Sequence, residues 1–314
     1  MISYAAVPTA ALPGTGSPAA YLPPPMPSTS RLLLPFCLAA TWLVWGSTYL
    51  AIKYALLSFP PYVLSGTRYL FAGGLLLAWL KWRGTPWPTL RQLGNTSLIG
   101  LLMLTLGNGL TCVAELTLPS GATALIVAGT PLLTVGLSQL LGSRIRGLEW
   151  CGIALGLVGM VVMHNDASLA GDPKGVALMG AACLAWAVAS VLMPRLDLPA
   201  GPMSAAMQML AGGLISLPVA LIAGERFPAS PRLEAVAALA YLVVFGSIIA
   251  YSAFVWLLRH ARPALATSSS YVNPLVALSL GWLFADEQVS PSLLLGMVII
   301  LAGVGLIGWA TARK

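Results

Sequence analysis

Charge is what this chain of 314 residues has least of. Only 8% of its residues are Asp, Glu, Lys or Arg, against about 25% in an ordinary soluble domain. With 58% hydrophobic residues and a mean hydropathy of +0.87, it carries more apolar surface than a water-soluble core absorbs. Other absences narrow the function. None of the four lysines is followed by Ser or Thr, so there is no phosphate-cradling Walker A loop and no ATP-driven pump of that type. GxSxG and HExxH are missing, and His164 and His260 fall at opposite membrane faces, so an intramembrane hydrolase or acyl transferase is not expected. The four cysteines show no CxxC spacing and read as small core fillers; no metal and no cofactor are expected. The net charge of +7 is scattered over short connections, which excludes a nucleic-acid face. Residues 1–30 contain seven prolines and no Lys or Arg, so they lack a signal peptide's basic and apolar regions, and 1–31 reads as a disordered cytoplasmic tail.

What is present is long apolar runs. Ten fall at 33–57, 62–80, 97–116, 121–141, 150–164, 175–193, 203–223, 235–257, 264–284 and 293–310, of the order needed to cross about 30 Å of hydrocarbon as helices. The chain is therefore expected to be an all-α membrane protein with ten transmembrane helices. With the N-terminus inside, eleven Lys and Arg lie on cytoplasmic segments and three on outer loops. The positive-inside rule then places both termini in the cytoplasm.

An internal repeat organises the spans. Gly129-Thr130-Pro131-Leu132-Leu133 answers Val272-Asn273-Pro274-Leu275-Val276, Gly152-x6-Gly159 answers Gly296-x6-Gly303, and the segment ending at Trp45 answers the one ending at Trp186. Five spans per half make the second half enter from the opposite face. The basic Arg144 and Arg146 facing the acidic Asp286 and Glu287 agree with that inversion. The units are 32–166 and 174–312. Inverted-topology repeats characterise transporters, with substrate held near the midplane between halves.

The stretches Trp45-Gly46-Ser47-Thr48-Tyr49, Arg68-Tyr69-Leu70-Phe71-Ala72-Gly73, Gly107-Asn108-Gly109 with Ala114-Glu115, Pro119-Ser120-Gly121 and Ser270-Tyr271-Val272-Asn273-Pro274 resemble the EamA branch of the drug/metabolite transporter superfamily. The likeness runs from about 33 to 310. It implies ten helices in two inverted repeats around a central cavity, in a bacterial inner-membrane exporter of small molecules such as amino acids or amphipathic compounds. The long Pro-rich tail departs from the usual pattern.

Candidate residues follow from cost. Ionisable groups in hydrocarbon are expensive and face a cavity or one another. Lys53, Arg68 and Glu115 are such groups, all towards the outer leaflet, as an outer gate or charge cluster; alternatively Lys53 and Glu115 snorkel and Arg68 clamps a helix end. Asn108 lies on a polar face of span three that leads to Glu115. Trp45 and Trp186 sit at equivalent mid-depth positions, away from the interfacial belts, with Thr48 beside Trp45; they suit an aromatic or amphipathic solute, or else pack between helices. Tyr251, Ser270, Tyr271 and Asn273 complete the expected substrate cavity. Pro131 and Pro274 near mid-depth mark hinges, carbonyls freed toward the cavity, or packing kinks. The partners expected are a small-molecule substrate and the lipid bilayer. Either the proton gradient, with Glu115 as carrier, or the substrate's own gradient supplies the energy. A passive channel or lipid-moving protein of the same fold is the alternative, and would show no saturation.

Overall fold

The computed structural model describes residues 28–118, 120–140, 147–164, 172–261, 263–266, 268–284 and 291–312. Among them there is helix and no strand. Residues 1–27 and the charged segments around Arg144, Arg146, Asp286 and Glu287 lie outside the described residues, while Ser28 to Arg31, expected in the disordered tail, already belong to the helix Ser28–Ala39. We number the helices α1 (Leu33–Ala55), α2 (Pro61–Trp82), α3 (Leu90–Ala114), α4 (Ser120–Val127), α5 (Thr130–Leu140), α6 (Gly147–His164), α7 (Pro173–Arg195), α8 (Pro202–Ile222), α9 (Leu233–His260), α10 (Pro263–Ala266), α11 (Ser269–Phe284) and α12 (Pro291–Ala312). Six of these, α1, α2, α3, α7, α8 and α9, are each long and apolar enough to cross a bilayer. The others occupy the remaining four expected spans.

Local chemistry sets the starts and stops. Proline opens α2, α7, α8, α10 and α12, at the position where its missing N–H has no intrahelical partner to lose. Asp172 caps α7 by accepting from Gly175 N at 3.2 Å, and Thr89 and Gln92 close a reciprocal capping box on α3. Gly84 and Gly224, at φ 77° and 74°, end α2 and α8 in the left-handed conformation that side chains resist.

The expected span four is broken. Ala128 and Gly129 separate α4 from α5, and Pro131 is the second residue of α5. The two prolines therefore differ, since Pro274 lies inside α11, beyond the turn at Ser268 that precedes that helix. Three other spans widen into π-helix, at Ala40–Val44 in α1, Leu101–Asn108 in α3 and Leu242–Ile249 in α9. The last two are both eight residues long and begin 141 residues apart, the separation of Trp45 and Trp186.

Packing follows the same relation. Helix α2 packs on α8 and α6 on α12; α1 meets α11 and α9, while α7 meets α5 and α3; α3 meets α8, while α9 meets α2. Exchanging each helix with the one six places away leaves this pattern unchanged. Glycine permits the closest seams. A Cβ at Gly213 would lie 3.0 Å from the Gly66 carbonyl oxygen, and one at Gly303 would lie 2.6 Å from that of Gly152.

The molecule is apolar outside and partly polar within. Phe36, Leu43, Phe71, Leu184 and Leu214 are exposed, while Arg68, Glu115, Gln208, Ser216 and Asn273 are buried. That arrangement suits lipid as the surrounding solvent. One apolar cluster gathers Tyr69, Met103, Met207 and Phe254, and another gathers Ile52, Phe59, Leu64 and Cys112. The cavity borders both, lined by Tyr69 and Phe254 from the first and Ile52 from the second.

Candidate substrate cavity

Trp45 and Trp186 meet edge to face, with centroids 5.6 Å apart at 80°, the arrangement their ring quadrupoles favour. Phe254 packs on both, at 4.9 and 5.4 Å, and Tyr251 lies 6.3 Å from Trp186. Each indole also seats against the widened helix of the opposite half. Trp45 Nε1 donates to the Gly246 carbonyl oxygen at 3.0 Å. Trp186 lies so close to Gly107 that any side chain at 107 would collide with the ring. The Gly246 carbonyl oxygen, within the π-helical stretch Leu242–Ile249, thus accepts from a side chain of the other half.

Around this aromatic group is a cavity of about 80 Å³. It holds several waters or a compact solute, and is small beside the roughly 300 to 1,000 Å³ of drug-sized ligand sites. A large substrate would require the helices to part. Both halves contribute: Trp45 and Thr48 from α1, Arg68 from α2, Asn108 from α3, Trp186 from α7, Tyr251 from α9, and Ser270 and Asn273 from α11. The Tyr271 side chain lies outside the described residues.

Three of the hydroxyls lining this space are tied to their own helices. Thr48 donates to Trp45 O at 2.6 Å, Thr111 to Gly107 O at 2.8 Å and Ser190 to Trp186 O at 2.7 Å. Their oxygens keep lone pairs for a solute. Tyr251 donates to Gln208 Oε1 at 2.7 Å, and Gln208 in turn donates to Ser204 Oγ at 3.0 Å.

Arg68 is 3% exposed and lines the cavity. Its Nε donates to Ser247 Oγ at 2.7 Å, and its guanidinium lies 4.9 Å from the Tyr69 ring centroid. Buried Nη1 has no hydrogen-bond partner. Of the three expected charged groups, Glu115 lies within electrostatic reach of both Lys53 and Arg68, and only Arg68 lines the cavity. Lys53 is exposed, and Glu115 is buried with neither carboxylate oxygen hydrogen-bonded. Neither of these two lines the cavity.

Several lining residues were not anticipated from the sequence. Tyr49 and Thr111 lie one helical turn beyond Trp45 and Asn108, and that spacing is the signal that would have found them. Gly246 gives no such signal, because it contributes a backbone carbonyl.

A many-helixed apolar protein with an internal cavity walled by aromatic rings, hydroxyls and one buried cation is a membrane transporter in class. More particularly, the model of the EamA-like transporter family matches residues 33–164 and 173–309, and the chain belongs to that family. It is 44% identical over 280 residues to the "Uncharacterized inner membrane transporter YedA" of Escherichia coli strain K12, covering 88% of this chain and 92% of that one. Protein PecM of Dickeya dadantii is 28% identical over 270 residues, covering 84% and 88%. A solved crystal structure shares the fold with a TM-score of 0.72 at 22% identity, over 91% of this chain and 99% of the other.

Proposed function

We propose that this protein is a secondary exporter of small metabolites, amino acids or amphipathic compounds, working by alternating access. Ten spans form two inverted five-helix repeats in a bacterial inner membrane, with both termini cytoplasmic. The observation that carries the reading is the Trp45–Trp186 pair, one indole from each half, each seated on the other half's widened helix. Moving one half against the other exchanges those seats, which opens the cavity to one face while closing the other. Lys53 and Glu115 then act at the outer mouth, and the turns at Ala128–Gly129 and at Ser268 absorb the bending.

Efflux from proteoliposomes loaded with labelled amino acids, with and without a proton gradient, tests this. Saturable efflux that falls at least tenfold in Trp45→Ala is the expected result, and its response to the gradient decides the coupling. Flux that neither saturates nor responds to competing solutes would identify a channel instead.

A further inference from the structure

We propose that Arg68 is a carboxylate subsite, so that the solute carried is a small carboxylic acid, anionic or zwitterionic, and not an organic cation. The inference rests on the transporter reading above and narrows its substrate.

Arginine cannot shed its proton in a protein, so its burial leaves a permanent cation against the cavity. Two of its faces are occupied, by Ser247 at Nε and by the Tyr69 ring. Nη1 is buried without a partner. Among the described residues lining the cavity none is acidic. Glu115, one turn beyond Thr111, lies within electrostatic reach of Arg68 and of Lys53, but its carboxylate oxygens make no hydrogen bond, so Nη1 gains no acceptor from it. A buried charge and donor left in this condition are costly. A solute carboxylate supplies both the counter-charge and the missing acceptor, in the planar geometry the guanidinium fork matches.

Two further features fit the same solute. Gly246 makes room for the guanidinium, since a Cβ there would lie 2.8 Å from Nη2. Asn273 Oδ1 lines the cavity, is buried and has no partner, so it accepts an N–H or O–H from a group elsewhere on the molecule. The Trp45, Trp186 and Phe254 rings receive the apolar remainder. An organic cation would satisfy the rings, but it would meet a fixed positive charge and give Nη1 nothing.

The test uses phenylpropionate, phenylalanine and phenethylamine, which share a ring and linker and are respectively anionic, zwitterionic and cationic. Each is added to the purified full-length protein while thermal unfolding and proteoliposome flux are followed. The two acids are expected to stabilise the protein and to be carried, and the amine is not. Arg68→Gln should weaken acid binding by about tenfold or more, and Arg68→Lys should retain part of it. If Arg68→Gln does not fold, the charge series on the wild type together with Arg68→Lys still decides. The proposal is overturned by amine binding as tight as the acids', by unchanged acid binding in Arg68→Gln, or by a wild type that no carboxylate, aromatic, aliphatic, hydroxy or amino, stabilises. Acid binding without flux would count against the transporter reading instead. Saturable flux of a cation without acid binding would keep that reading and remove this one.

Discussion

Replacing Gly246 with alanine would place a methyl group 2.8 Å from Arg68 Nη2 and 2.9 Å from Thr48 Cγ2. Both are ends of movable side chains, so the helix survives and the guanidinium shifts. Insertion and folding are expected to stay at wild-type levels while saturable flux falls about tenfold, corresponding to about 1.4 kcal/mol of lost positioning; wild-type flux would separate Arg68 from the mechanism. Trp45→Phe keeps a ring but removes the donor to Gly246 O. Losing that hydrogen bond costs about 0.5 to 1.5 kcal/mol, which a lower unfolding temperature would report. At this scale the sequence was legible where a residue type is out of place for its setting. Two indoles away from the interfacial belts and an arginine in an apolar run announce themselves. Gly246 does not, because a glycine in an apolar helix reads as packing and its contribution is a backbone oxygen.

Helix pairing depends on glycine at a few depths and not at others. Gly303→Leu drives a side chain onto the backbone of Gly152 and Gly156 across the α6–α12 seam, where nothing yields, whereas the space beyond Gly305 is open. Gly303→Leu is therefore expected to lower the unfolding temperature sharply or to abolish folded yield, and Gly305→Leu two residues later to leave both near wild type. Equal effects would mean that the seam is not what holds these helices. The helix starts could be read from the chain, since Pro61, Pro173, Pro202 and Pro291 each follow a polar or turn-forming connection. The widened turns could not: fitting an extra residue into a turn answers to what packs on it, and no local pattern records that. For the same reason Pro131 and Pro274 look alike in sequence, yet one opens a helix after a break and the other lies inside one.

The packing pattern of the whole molecule is unchanged when helices six places apart are exchanged, which is the relation two inverted halves would produce. Reporter fusions after Lys314 test the orientation: a fluorescent protein should glow in intact cells and a periplasmic phosphatase should be inactive, and the reverse would turn the assignment over. The apolar runs made the all-helical membrane architecture the most readable feature, because crossing hydrocarbon leaves few backbone solutions. Chemically the halves are less alike. Met209 occupies the position 141 residues beyond Arg68, so a cavity framed by matching helices carries its fixed charge on one side only. Once a singly anionic carboxylate is held there the two charges cancel, and the loaded protein presents nothing net for the membrane potential to act on, whereas a zwitterion leaves the positive charge in place. Empty, it presents one positive charge, and moving that charge through 100 mV involves about 2.3 kcal/mol. For an anionic solute, voltage would then act on the unloaded return and leave the export step alone, so the resting potential of the cell would decide which face the vacant cavity waits on.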